Sequence, residues 1–204
     1  PLFRSSAASD VYKRQVHVDD RDDSRIWMGS ERSGLTKFDK KGFYTYAVQD
    51  GLPSNSIRDI TQSNDGTLII ACYKAGVAKF DGKKFTLYDN GLDDKRVILL
   101  ENGFDGEIWA GTESAGIGVL EQDQFRMIRD SDGLAHNEMF SLYNDGKRMW
   151  AGTFGGGVSC FHDNTWFTLR ESDGLNSNTV GSIVSIDENT TMIGGTSGVS
   201  IFKR

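Results

Sequence analysis

The sequence predicts an all-β fold, a β-propeller segment of about five four-stranded antiparallel blades, incomplete relative to a full propeller. Three observations lead there. The first is a cassette, clearest as GEIWAGTESAGIG over residues 106–118, where a turn glycine precedes a short apolar strand bearing Trp109. A small-residue ending, Gly111-Thr112, then leads through a tight loop to Gly116, which opens the next strand. Degenerate copies hold Trp27, Gly29, Ser30 and Gly34; Ile69, Ala71, Cys72 and Gly76; Trp150, Gly152, Thr153 and Gly157; and Ile193, Gly195, Thr196 and Gly198. The second is an independent marker: Gly-Leu pairs begin at Gly51, Gly91, Gly133 and Gly174, in steps of 40, 42 and 41 residues. A period of roughly 40–45 residues holding about four short strands is that of a propeller blade. The third is that both faces of the cassette strands are apolar: Trp27 alternates with Ile26 and Met28, and Trp150 with Met149 and Ala151. A sheet wetted on one face would alternate with polar residues, so two-sided burial points to blades stacked face to face.

Taken in order, the chain opens with residues 1–15, which are set apart as an adaptor-like, non-native segment. The string SSAASDVYKRQ at 5–15 resembles the translation of a transposase adaptor used in DNA library preparation. On that reading, any signal peptide or upstream blades would be missing from this sequence. Blade one spans 16–50, and blades two to four span 51–90, 91–132 and 133–173; blade five, 174–204, is partial. Each blade begins with an inner strand, at 57–62, 97–101, 139–143 and 180–186. Asp or Asn before Gly follows, supplying the positive φ that tight hairpins require. Then come the cassette strand, a third strand (35–38, 77–80, 117–120, 158–161, 199–202) and an outer strand (43–46, 85–88, 125–128, 166–169). These runs are short, rich in β-branched and aromatic residues, and bounded by Gly, Asp and Asn. No segment sustains helical apolar spacing. Blade five lacks an outer strand, so closure would need one borrowed from residues 10–15. Open ends would otherwise expose edges and apolar faces that invite association, a homodimer included.

Composition narrows function. With 24 Gly and only 2 Pro the chain is turn-rich, and a formal net charge of −6 argues against a nucleic-acid partner. No apolar run approaches the roughly 20 residues that span a bilayer. Cys72 and Cys160 fall in blades separated by a whole blade, too far apart for a disulfide, and are expected to be small buried residues.

The repeat grammar, Gly-Leu, polar-Asn, Val, then Asp-x-x-Gly-x-Ile-Trp-x-Gly-Thr-x-x-x-Gly-Leu, resembles the two-component regulator propeller repeat across residues 16–204. Ile69 and Ile193 stand for Trp in two copies, and Lys95 for Asn in one; the Gly-His…Trp-Asp signature of WD40 repeats is missing. The resemblance implies the periplasmic sensor part of a bacterial hybrid histidine kinase. In that family two propellers of roughly seven blades precede a kinase module, and known ligands are often polysaccharide fragments. The partners it implies are therefore a small-molecule or oligosaccharide ligand, the remaining blades, and a downstream kinase of the same protein. No cofactor is implied.

No catalytic constellation is evident. His17, His136 and His162 lie in different blades, and no His-Glu-x-x-His, paired-Cys or Gly-x-Ser-x-Gly pattern occurs. The acidic stretches 19–23 and 130–133 lack the register of a calcium loop and read as solvated turns. Trp27, Trp109 and Trp150 recur at one position and are expected to pack blade on blade; Trp166 is read as packing too. Candidate ligand contacts are instead the loop positions that recur in every blade and change character. Glu31, Tyr73, Glu113, Phe154 and Ser197 follow the cassette, while Arg96 and His136 stand beside Lys95 and Asn137 after Gly-Leu. In a four-stranded blade these loops share one face. Tyr73, Lys74, Arg96, Glu113, His136 and Phe154 are the predicted ligand-binding set, with Tyr73 and Phe154 as stacking rings. The recurring Asn55, Asn137 and Asn178 are expected to hold their loops by side-chain hydrogen bonds. Two other readings stand beside the sensor: a propeller lyase or hydrolase, and a protein-interaction scaffold.

Overall fold

The computed structural model describes residues 13–203, and strands dominate it. Blade one consists of β1 (Lys13–Val18), β2 (Ile26–Ser30), β3 (Leu35–Asp39) and β4 (Gly42–Tyr46). Blade two holds β5 (Ile57–Gln62), β6 (Leu68–Cys72), β7 (Gly76–Phe80) and β8 (Phe85–Tyr88). Blade three holds β9 (Val97–Asn102), β10 (Ile108–Thr112), β11 (Ile117–Glu121) and β12 (Gln124–Ile128). Blade four holds β13 (Met139–Asn144), β14 (Met149–Thr153), β15 (Val158–His162) and β16 (Thr165–Leu169). Blade five has three strands, β17 (Val180–Asp187), β18 (Thr190–Gly195) and β19 (Gly198–Lys203). In each sheet the strands pair antiparallel in chain order, and the inner strands β1, β5, β9, β13 and β17 meet in succession. Every predicted strand span lies inside an observed strand. Among the described residues no helix is long and apolar enough to cross a membrane.

The N-terminal boundary differs from the expectation. β1 starts at Lys13, so residues 13–15, set apart with the adaptor-like segment, belong to the inner strand of blade one, with Gln15 opposite Gly29. They do not form an outer strand for blade five. The remainder of residues 1–15 lies outside the described residues.

Blade junctions are apolar, and the tryptophans bridge them as expected. Trp27 meets Phe80 of blade two edge-on at 5.9 Å, Trp109 meets Phe161 and Trp166 of blade four at 5.9 and 6.1 Å, and Trp150 meets Phe202 of blade five at 5.4 Å. Burying such a ring is worth roughly 1.5–3 kcal/mol or more. Each indole N–H finds a carboxylate: Trp27 donates to Asp19, Trp109 to Glu107 and Trp150 to Asp145. Asp19 also accepts from Arg25 and from the Arg21 amide, so the acidic stretch 19–23 is a structural turn. Cys72 and Cys160 are buried and free, and burial pushes the Cys72 thiol up to about 12.

The linkers are more ordered than the sequence suggested. Three 3-10 turns, Val48–Asp50, Asp130–Asp132 and Glu171–Asp173, precede Gly-Leu pairs. The last residue of each, Asp50, Asp132 or Asp173, accepts from the amide that opens its turn. The asparagines do hold their loops: Asn55, Asn137 and Asn178 side chains accept from the amides of Val48, Asp130 and Glu171. Between Tyr88 and Gly91 the linker has two residues where the others have four, too few for the turn. There Lys95 replaces Asn and its ammonium reaches Asp89 at 2.5 Å.

Blade five departs from the predicted register. Met192, not Ile193, pairs with Ile201 and Val184 as Trp109 pairs with Val119 and Glu101. The reason is length: the loop before Gly198 is one residue shorter than that before Gly116, so the cassette slides by one. Accordingly Thr196, not Ser197, takes the position of Tyr73, Glu113 and Phe154, its amide donating to the residue just before the inner strand.

Among the described residues, nothing covers either end of the arc. Val77, Ile117 and Val158 are fully buried by the following blade, whereas Val199 at the same register is 51% exposed. Val184, Ile186 and Ile201 share that face, and Val16 and Val18 are exposed on blade one.

Candidate ligand-binding rim

The two variable loop sets do converge on one face, because backbone bonds tie them together. The amides of Tyr73, Glu113, Phe154 and Thr196 donate to the carbonyls of Ser56, Arg96, Glu138 and Thr179. Beneath the loops of blades three and four, the cassette Thr112 and Thr153 hydroxyls donate to the carbonyls of Gly116 and Gly157. Gly116 needs its glycine: φ is 81°, and a Cβ would collide with the Ile128 carbonyl oxygen. The scaffold thus repeats while the residues it presents do not.

A third variable position was missed from sequence. In every blade the inner strand slips register by one residue at its upper end, between Lys13 and Gln15 in blade one and leaving Arg58, Ile98, Phe140 and Gly181 unpaired in blades two to five. Such bulges re-aim a side chain, and they are frequent at rims and functional sites. By register each of these four bulge residues lies level with the cassette-loop residue of its own blade, and two of them contact it: the Arg58 guanidinium lies over Tyr73, and Phe140 beside Phe154. The rim therefore carries four pairs: Arg58 with Tyr73, Ile98 with Glu113, Phe140 with Phe154, and Gly181 with Thr196. Nothing local distinguishes a bulge residue from an ordinary strand residue, so only the repeated offset from the Gly-Leu pair could have flagged these positions.

The structure brings four of the six predicted contacts into one network between blades two and three. The Tyr73 hydroxyl donates to Glu113 at 2.9 Å, and Arg96 also pairs with Glu113 at 3.1 Å. Arg96 forks onto Asp94 through Nε and Nη2 at 2.8 and 2.9 Å, and Nη2 also reaches Ser114. Burial alone would raise the Asp94 carboxyl, but Arg96 and the neighbouring donors hold it below the usual carboxylate range. Lys74, in the left-handed region at φ 65°, places its ammonium 5.7 Å from the Tyr73 ring. The Arg58 guanidinium lies 4.1 Å over that same ring. One face of Tyr73 is thus already covered, and its hydroxyl is engaged.

Phe154 and His136 stand apart from this network, on blade four. Phe154 is 49% exposed and Phe140 44% exposed, their ring centroids 5.5 Å apart, an open aromatic surface. His136 Nδ1 accepts from the Glu138 amide, and its Cβ abuts Gly156 of the cassette loop. His17 lies within reach of Gln62, and His162 of the Lys147 carbonyl.

The inner strands carry two unusual acids, Asp59 next to the Arg58 bulge and Glu101 three residues beyond the Ile98 bulge. Asp59 accepts from the Leu100 and Ile60 amides, yet burial pushes its carboxyl up to about 6. Burial likewise raises Glu101 to about 7, with the Asp59 charge adding to it. A groove of about 750 Å³ lies elsewhere, between blades three and four and lined by Trp109, Phe161, Trp166 and Arg126. A smaller groove of about 220 Å³ occupies the matching place between blades one and two, around Trp27 and Phe80. The recurrence marks these grooves as products of blade stacking.

With this geometry in view, comparison with known proteins establishes the propeller fold. No family model and no curated protein matches the chain. Solved structures do. An extracellular domain assigned to the hybrid two-component system BT3049 of B. thetaiotaomicron superposes with a TM-score of 0.79 at 22% identity. That of BT4673 from the same organism gives 0.75 at 14% identity. The matches cover 98% and 95% of this chain but only 28% and 31% of those domains. Virginiamycin B lyase from Staphylococcus aureus also matches, at 0.68 and 15% identity, over 96% of this chain and 71% of the lyase.

Proposed function

We propose that the chain is a ligand-sensing propeller segment of a bacterial two-component signalling receptor, working in the periplasm and reading a carbohydrate fragment at its rim. The observation that carries this reading is the set of four rim pairs, chemically different from blade two to blade five, on a scaffold that otherwise repeats. The likeness to extracellular domains of hybrid two-component systems supports it. Phe140 and Phe154 supply the stacking surface, and the Tyr73–Glu113–Arg96 network supplies fixed polar groups for hydroxyls. Catalysis belongs to a downstream kinase, and further blades of the same protein complete the propeller. In titration calorimetry against an oligosaccharide panel, Phe154→Ala and Tyr73→Ala should weaken binding by roughly 1–3 kcal/mol, the scale of ring stacking. Wild-type affinity in both variants would remove recognition from this face.

A second reading, a propeller lyase, is favoured by the lyase likeness and by two carboxyls titrating near neutrality. It requires turnover that Glu101→Gln abolishes, which a sensor would not show.

A further inference from the structure

Among the rim pairs, Arg58 with Tyr73 is electrostatically unlike the rest. Arg58 is half-buried, its guanidinium flat against a ring, and its Nε is enclosed without an acceptor. No ion pair reaches it from any described residue. Its chain neighbour Asp59 turns toward blade three, where it holds the Leu100 amide. Arg96 nearby shows the contrast, with all three guanidinium nitrogens engaged by Asp94, Glu113 and Ser114. Around Tyr73 stand three cations, Arg58, Lys74 and Arg96, against two carboxylates, Asp94 and Glu113. On a chain of net charge −6 this is a locally positive spot. The ring also holds the guanidinium in place: Tyr73 is anchored through Glu113, and its π face fixes Arg58 before any ligand arrives. A preorganised, uncompensated guanidinium is a fork for a two-oxygen anion.

We propose that Arg58, seconded by Lys74, is an oxyanion subsite, so that the saccharide taken at this rim is acidic, bearing a carboxylate or a sulfate ester. The inference rests on the rim-recognition reading above and adds the ligand's chemical class. With Nε enclosed, the terminal amino groups meet the anion, while Phe140 and Phe154 serve the sugar face elsewhere on the rim.

The test uses matched probes on the intact chain: trigalacturonate and its methyl ester, and a sulfated disaccharide and its desulfated form. Esterification or desulfation should weaken binding about tenfold or more, as loss of a charge-assisted hydrogen bond does. Arg58→Gln should erase that preference with an unchanged melting temperature, and Arg58→Lys should keep part of it. Whichever pair shows the effect identifies carboxylate or sulfate as the anion. An acidic preference surviving in Arg58→Gln would overturn the subsite. Binding of neutral members alone would overturn the acidic class and leave saccharide recognition standing; no binding by any member would overturn both.

Discussion

Trp150 is fully enclosed between blades four and five, edge-on to Phe202 and Phe167, with its N–H on Asp145. Trp150→Ala should therefore cost roughly 3–5 kcal/mol in thermal or denaturant unfolding, as large core aromatics do. Phe154→Ala, on a half-exposed ring, should melt close to wild type. A second prediction concerns Asp59 and Glu101. Burial raises both above their unfolded values, so the folded chain binds protons that the unfolded chain has released. Their contribution is complete below about pH 4 and is lost as pH rises through 6 and 7. Depressed carboxyls such as Asp65, at about 2, change stability only as pH falls below about 4, outside this window. Melts should fall in temperature from pH 5 to pH 8, and Glu101→Gln should flatten part of the slope; a profile rising across that range would contradict it. At this scale Trp27, Trp109 and Trp150 were legible because their recurrence at one register marks packing. Arg58 and Phe140 were not legible, since a one-residue register slip leaves no compositional trace.

Elements repay their repetition. The 3-10 turns and the Gly-Leu loops are joined by one asparagine bond per blade, at 3.0, 2.9 and 2.8 Å for Asn55, Asn137 and Asn178. Asn137→Ala should cost about 1 kcal/mol, a cap-sized loss, measured by denaturant unfolding. The corresponding Lys95→Ala should cost less, because a half-exposed ion pair contributes little. Strand order and spans followed from turn chemistry and two-sided apolar runs. The 3-10 turns escaped notice although Asp50, Asp132 and Asp173 recur just before Gly; three residues are too few for any periodicity to show. Blade five misled for a related reason: its shortened loop moved Gly195-Thr196 by one residue against the strand, which only the pairing reveals.

At the scale of the molecule, five blades form an arc whose end faces are built like its interior junctions yet lie bare among the described residues. Sedimentation of the isolated chain should show concentration-dependent association, since among the described residues nothing covers the exposed end faces or pairs with the edge of β19. A monomer at all concentrations would count against open ends. The repeat made the arc predictable, while the ligand stayed illegible because the proposed recognition positions are the few that break the repeat. The most direct measurement is hydrogen–deuterium exchange with and without a saccharide that binds in calorimetry. Protection is expected at the rim, over residues 56–58, 73–75, 96–98, 113–115 and 138–140 and the loop from Phe154. Protection confined to the opposite turns, at 64–66, 104–106 and 145–147, would contradict recognition at the rim.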